Sequence, residues 1–249
     1  MQRSKKMQTK QRKMINQEYP LHWQKKNFSI KIFCSIPNIA TGILLKAGGA
    51  HFVIDPGDGI LRDLNKEIGV KNLLNISDVF VTHGHHDHIG GVWSLLTYLR
   101  VMQKKTPLTI HYPDGCVEIV SIYNAFEKVY SRSISYKIKL KSIKKKDRFI
   151  TNKVTVKPFP VIHKEYLSSG KTRQVPALGY NFTYDKKTIC YGGDTAYCEE
   201  IVTHAKNADL AILEAGHDDD TPDEMHMTKS EAESIGKSAK DYFLVHVPE

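Results

Sequence analysis

The sequence predicts a mixed α/β protein whose sheets are covered by helices, and three observations lead there. Short runs of β-branched and aromatic residues alternate with longer segments whose apolar positions recur every three and four residues. That rhythm fills the chain from about residue 28 and returns in its last third without any fixed-period repeat. No uninterrupted apolar run approaches membrane-spanning length. With 249 residues, 41% of them hydrophobic, the chain can bury one large core.

Taken in order, "FSIKIFC" (28–34), "GILLKA" (42–47) and "HFVID" (51–55) read as strands, the last two antiparallel because Gly48 and Gly49 supply the turn. "GILRDLNKEIG" (59–69) reads as a helix and "DVFVTH" (78–83) as a short buried strand. "VWSLLTYLRVMQ" (92–103) is a helix facing a core, "LTIH" (108–111) a strand and "GCVEIVSIYNAFEKVY" (115–130) a helix. The basic, alternating "ISYKIKLKSI" (134–143) and "KVTVKPFPVIH" (153–163) follow as strands. The last third holds strands in "ALGYNFTYD" (177–185), "KTICYGGDT" (187–195), "DLAILEAG" (209–216) and "YFLVH" (242–246). Helices begin near Tyr197 and at Thr228, where Glu231 three residues on completes a capping box. This order predicts mixed sheets with helices on their faces.

The net charge of +9 is concentrated at one end. Arg3, Lys5, Lys6, Lys10, Arg12, Lys13, Lys25 and Lys26 stand against Glu18 alone in residues 1–27, so the remainder is nearly balanced. The expectation is a basic, disordered leader over 1–27 and a folded domain over 28–249. The leader is either a solvated tail or an arm touching RNA or another polyanion. Cys34, Cys116, Cys190 and Cys198 form no C-x-x-C pair and are expected as reduced thiols. The N-terminus lacks the apolar core of a signal peptide, which predicts a cytoplasmic protein.

"VTHGHHDHIGG" (81–91) places four histidines and an aspartate within six positions. A zinc ion takes four or five nitrogen and oxygen ligands and, where it does chemistry, keeps one position for water, so a single turn cannot enclose it. His83 with His85, and Asp87 with His88, form two pairs that can serve two ions a few ångströms apart, given further ligands from elsewhere. His163, Asp194 and His246 each stand where a predicted strand ends. Seven ligands are then available for two metals. His86 is expected to face away from the others. His22, His51, His111, His204 and His217 have no partner pattern and are expected to be structural or exposed.

These motifs, in this order, resemble the metallo-β-lactamase superfamily, whose signature is H-x-H-x-D-H followed by a distant His, Asp and His. The resemblance covers about residues 28–249 and implies a four-layer αββα sandwich with the site along one edge. It implies one ion held by His83, His85 and His163, a second by Asp87, His88 and His246, and Asp194 bridging both. Asp55 in "VIDPGDG" matches the family's first motif, a brace for the metal loop. "GGDTAYCEE" (192–200), "ALGYNF" (177–182) and "MHMTKSEA" (225–232) are similar to the ribonuclease Z branch. Two zinc ions, with manganese as a substitute, are the implied cofactors, and a homodimer is implied by the branch.

The implied activity is hydrolysis of a phosphodiester through a metal-bridging hydroxide. His226, Glu214 and Asp87 are the candidates for the reaction itself. His226 would protonate the leaving alkoxide and Glu214 would hold its ring. Ribonuclease Z proper inserts a long tRNA-gripping arm between the third-motif histidine and the bridging aspartate, but here only residues 164–193 lie between His163 and Asp194. A small nucleotide is therefore expected as substrate, as in the phage anti-Pycsar cyclic nucleotide phosphodiesterases of this branch. Lys164, Lys171 and Arg173 would meet its phosphate and Tyr166 its base. The alternatives are an RNA or tRNA 3′-end endonuclease, using the leader and the basic segment 137–148, and a lactonase or thioesterase on the same fold. Lys139, Lys141 and Lys144 to Lys146 would line an RNA track or simply protect an edge strand. The acidic run "HDDDTPDE" (217–224) is expected as a solvated loop or a mobile lid outside the site.

Overall fold

The computed structural model describes residues 18–34, 41–220 and 224–247. In chain order the elements are β1 (Leu21–Lys25), β2 (Phe28–Cys34), β3 (Thr41–Ala47), β4 (Ala50–Ile54), α1 (Ile60–Leu73), β5 (Asp78–Phe80), α2 (His86–Ile89) and α3 (Val92–Val101). They continue with β6 (Leu108–Pro113), α4 (Val117–Tyr130), β7 (Ile138–Ile143), β8 (Phe149–Thr151), β9 (Val154–Pro160), β10 (Lys164–Tyr166) and β11 (Thr172–Gln174). The last are β12 (Leu178–Tyr184), β13 (Lys187–Tyr191), α5 (Glu199–Ala205), β14 (Leu210–Glu214), α6 (Lys229–Gly236) and β15 (Asp241–Val245).

One sheet runs β1-β2-β3-β4-β5-β6-β7 and the other β15-β14-β13-β12-β9-β8, with β10 and β11 forming a separate hairpin. The period of two along a strand decides which layer each side chain joins. Ile43, Leu45, Phe52 and Ile54 enter the core between the sheets, while Leu44 and Val53, between them in sequence, pack under α1, α3 and α4. In the second sheet Leu210, Ile212, Phe243 and Val245 face the first, whereas Ala211, Leu213, Tyr242 and Leu244 pack with α5 and α6. Strands buried on both faces read as unbroken apolar runs, which is why "ILL", "FVI" and "LAIL" lack polar alternation. The result is the expected αββα order of layers.

The leader boundary needs correction. Residues 21–25, expected within a disordered leader, form β1 antiparallel to β2, with Leu21 and Trp23 buried. Trp23 Nε1 donates to Asp241 Oδ2 at 2.9 Å, tying the strand to the second sheet. Only two apolar residues among His22, Gln24, Lys25 and Lys26 carry the pattern, so charge masked the strand. Residues 1–17 of the expected leader lie outside the described residues, as do residues 35–40.

β7 is an edge strand. Its Lys139 and Lys141 are exposed, and Lys141 Nζ lies 3.8 Å from the Phe149 ring centroid, an arrangement that blunts the edge against further pairing.

β4 and β5 are parallel, as are β13, β14 and β15, and β9 runs with them across β12. Their carboxyl ends therefore meet along one edge of the sandwich, where a ligand site is expected in such sheets.

Candidate metal centre

Every ligand predicted from the sequence arrives at that edge. His83, His85, Asp87 and His88 follow β5, with His88 inside the single turn α2. His163 follows β9, Asp194 follows β13, and His246 follows β15. Their donor atoms fall into two groups, His83–His85–His163 and Asp87–His88–Asp194–His246, each with all atoms within 4.8 Å of one another.

In the first group His163 Nε2 and His85 Nδ1 face each other at 2.9 Å, and the His83 ring centroid lies 4.5 Å from that of His163. In the second, His88 Nε2 is 3.2 Å from Asp194 Oδ1 and 3.4 Å from Asp87 Oδ2, while His246 Nε2 is 3.4 Å from Asp194 Oδ2. The groups adjoin, since the His83 and His88 ring centroids are 4.2 Å apart.

Asp55 explains how the turn keeps its shape. Fully buried after β4, it accepts from Thr82 N and Thr82 Oγ1 at 2.7 Å each and from Tyr191 OH at 2.8 Å, and it lies 2.9 Å from His88 Nδ1. Asp55 and His246 both hold left-handed backbone, at φ 44 and 58, conformations that cost energy in non-glycine residues and persist where surroundings enforce them. Gly193, at φ 62, brings Asp194 in beside the turn; a Cβ there would lie 2.7 Å from Thr82 Cβ.

The donor set suits divalent cations. His83 Nε2 and His88 Nε2 are buried with no hydrogen-bond partner, and the 3.2 Å approach of Asp194 to His88 lacks hydrogen-bond alignment. Such orphaned nitrogens are costly unless something else satisfies them. Burial, reinforced by the neighbouring imidazoles, holds His83 well below the usual histidine pKa and lowers His163 to about 4, so both keep a lone pair to donate. Burial works against the carboxylates, yet the surrounding histidines overcome it and hold Asp87 and Asp194 well below the usual range. Burial is likewise overcome at His88, raised by Asp194 and Asp55, and at His246, raised to about 9 by Asp87 and Asp194. Protons wedged between carboxylates occupy positions a cation would take, with their release.

Beside the ligands stands the capping-box loop that opens α6. His226 has its ring centroid 5.4 Å from both His163 and His246, and its Nδ1 is 3.1 Å from Glu214 Oε1. Glu214, the buried last residue of β14, also accepts from Thr195 N at 2.9 Å, Gly216 N at 2.7 Å and Met227 N at 3.3 Å. Burial disfavours the His226 cation, but Glu214 outweighs it and raises the His226 pKa. Glu214 itself is raised by burial.

Other sequence expectations divide. His86 points outward to Asp58 at 3.2 Å. His111 is buried, 2.7 Å from Asp78 and stacked on Phe80, and His204 stacks on Phe159. His217 lies closer to the site than its lack of pattern implied, its ring centroid 5.8 Å from that of His226. Lys164 and Arg173, expected to meet phosphate, are each paired with a carboxylate, Glu224 and Glu165. The acidic run also reaches the site's surroundings: besides Glu224, Asp219 accepts from Ser230 N at 2.9 Å at the start of α6, while residues 221–223 lie outside the described residues. Thr82, Tyr191 and Glu165 had not been singled out. Their one signal was position: Thr82 adjoins His83, Glu165 stands two residues from His163 and Tyr191 three from Asp194.

Residues 51–246 match the profile of the Beta-lactamase superfamily domain. The chain belongs to the metallo-β-lactamase superfamily and is a metal-dependent hydrolase. Within the superfamily its likeness is to the ribonuclease Z branch. It is 27% identical to the ribonuclease Z of Pyrococcus horikoshii over 85% of this chain and 79% of that protein. With the ribonuclease Z of Thermococcus sibiricus it shares 29% identity over 80% and 76%. In fold it is similar to YhfI from Bacillus subtilis (TM-score 0.67, 22% identity, 85% and 80% covered). The short form of human tRNase Z is equally similar (TM-score 0.67, 23%, 84% and 86%). Among the described residues no helix is long and apolar enough to cross a membrane.

Proposed function

We propose that this chain is a phosphodiesterase that holds two zinc ions and cleaves small, cyclic nucleotide phosphodiesters. The observation that carries the reading is the pair of adjoining donor groups, with His226 facing both from one side. His83, His85 and His163 would hold one ion, Asp87, His88 and His246 the other, and Asp194 both. Bound there, the ions supply the charge that activates water and offsets charge on a phosphoryl oxygen. His226 delivers the proton to the leaving alkoxide from Nε2, and Glu214 at Nδ1 fixes the ring and favours its charged form. A small substrate is supported by the shortness of the segment between His163 and Asp194, which holds only the β10–β11 hairpin before β12. Carboxylates already paired with Lys164 and Arg173 there weaken any grip on a polyanion.

A second reading, cleavage of RNA near its 3′ end, is favoured by the curated relatives named ribonuclease Z. Zinc- or manganese-loaded protein offered 2′,3′- and 3′,5′-cyclic nucleotides beside a precursor tRNA decides between them. Turnover of a cyclic nucleotide with the precursor left intact is expected. Cleavage of the precursor with no turnover of any cyclic nucleotide would replace the first reading by the second.

A further inference from the structure

A histidine that ligates a metal through one ring nitrogen usually gives the other to an acceptor that sets its tautomer and orientation. Three of the histidines have such a partner on the nitrogen facing away from the centre. His83 Nδ1 is 3.1 Å from Thr82 Oγ1, His88 Nδ1 2.9 Å from Asp55, and His163 Nδ1 3.3 Å from the Met225 carbonyl. His85 meets His163 with Nδ1, which leaves Nε2 on the outer side. There it lies 3.8 Å from Glu165 Oε2, a carboxylate two residues beyond His163 on β10. Glu165 pairs across the hairpin with Arg173, directly opposite in register, and the hairpin is rooted at the ligand by Val175 N donating to the His163 carbonyl at 3.0 Å.

We infer that Glu165 is a positioning residue for the metal centre: held by Arg173, it anchors the outer nitrogen of His85 so that Nδ1 is presented to the first ion. The inference rests on the two-ion reading above. It makes the hairpin part of the site, because the strand that leaves one ligand, His163, returns a carboxylate to another, His85. It also gives Arg173 a task other than holding a phosphate.

The test is metal competition on the full chain, with zinc titrated against a chromophoric chelator for wild type, Glu165→Ala, Glu165→Gln and Arg173→Ala. Glu165→Ala should weaken one of the two zinc equivalents about 10- to 100-fold, the usual effect of losing such a partner, and leave the other within about threefold. The visible band of the cobalt-loaded protein should change with it. Glu165→Gln keeps an acceptor oxygen on a side chain of the same length and should recover most of the affinity. Arg173→Ala should shift the same equivalent by a smaller factor. The melting temperature of the metal-free protein should stay at the wild-type value in all three. The inference is overturned if Glu165→Ala binds both equivalents like wild type with an unchanged cobalt spectrum. It is equally overturned if both equivalents weaken together while the metal-free protein melts lower, the signature of a hairpin that only supports the fold. A wild-type chain that takes up fewer than two equivalents would reject the two-ion reading, and this inference with it.

Discussion

Asp55 and Glu214 are both buried carboxylates at strand ends, each with four hydrogen-bonding contacts, yet they hold different things. Asp55 grips the metal turn itself, through Thr82 and the outer nitrogen of His88, and ties it to β13 through Tyr191. Glu214 touches none of the seven ligands; it collects the amides of Thr195, Gly216 and Met227 and the ring of His226. One carboxylate therefore shapes the candidate metal centre and the other shapes the loop of His226, the proposed proton donor. Damage to the first should appear in metal binding and stability, and damage to the second in rate.

The largest effect should come from Asp194→Ala, the residue whose two oxygens face His88 and His246. Activity should vanish and both metals should loosen in equilibrium dialysis; tight retention of both would show that the two halves do not depend on a shared ligand. Next, Asp55→Ala leaves His88 buried without its anchor and should cost about 3–5 kcal/mol of unfolding free energy, with metal content reduced. Denaturant unfolding of the metal-free protein measures the first and elemental analysis the second. An Asp55→Ala protein with full metal content and slow turnover would erase the distinction drawn above.

His226→Ala should keep both metals and lose about 10²–10⁴-fold in kcat, the usual range for a proton donor. Glu214→Gln should lose less, because its single carbonyl oxygen can still accept from Thr195 N and Met227 N, although its NH2 group then faces Gly216 N and it ceases to favour the His226 cation. Normal turnover of His226→Ala would remove the donor role. Loss of metal in either variant would mean that the two carboxylates share one task.

The seven clustered His and Asp residues were legible because each lies in a tight turn or at the end of a strand whose apolar run can be read in the sequence, and because metal coordination calls for such side chains. The boundary of the fold was less legible: β1 carries its signal on Leu21 and Trp23 alone, and β8, β10 and β11 are three-residue strands, shorter than any period can mark. The partners of the ligands were least legible. Tyr191 and Glu165 act only because β13 and the hairpin fold back onto the metal turn, and no local pattern encodes that approach. Glu214 could be named beside His226, but its hold on three backbone amides could not.

A third buried carboxylate, Asp78 at the opposite end of β5, lies away from the metal edge and serves as a control. Burial would raise its pKa, but His111, Ser77 and Thr151 donate to it and lower it below the usual value. A carboxylate depressed in the folded state contributes stability above its unfolded pKa, near 4, and loses that contribution as pH falls through the folded value. Asp78→Asn should therefore be less stable than wild type at neutral pH, and the gap should narrow below about pH 4. Its zinc affinity and kcat should stay within about twofold of wild type. A change in metal affinity as large as that of Asp55→Ala would show that any buried carboxylate in the first sheet has the same influence, and the special place of Asp55 would go.

The smallest effect expected is the one that separates substrates. Lys144, Lys145 and Lys146 are exposed at the end of β7, where Lys144 and Lys145 border a groove of about 360 Å³ lined by Pro113, Pro160, Pro176 and Leu178. An enzyme that neutralises several phosphates through such lysines loses affinity steeply with salt, because each contact releases a counterion. One that takes a mononucleotide does not. With all three changed to Ala, kcat/KM on a cyclic nucleotide should move by less than about twofold, and its dependence on salt between 50 and 200 mM, about the range where such contacts show, should remain shallow. If the triple variant instead lost affinity for RNA and its salt slope flattened, the lysines would be a backbone track. The metal edge described above would then be cutting a polymer laid along β7.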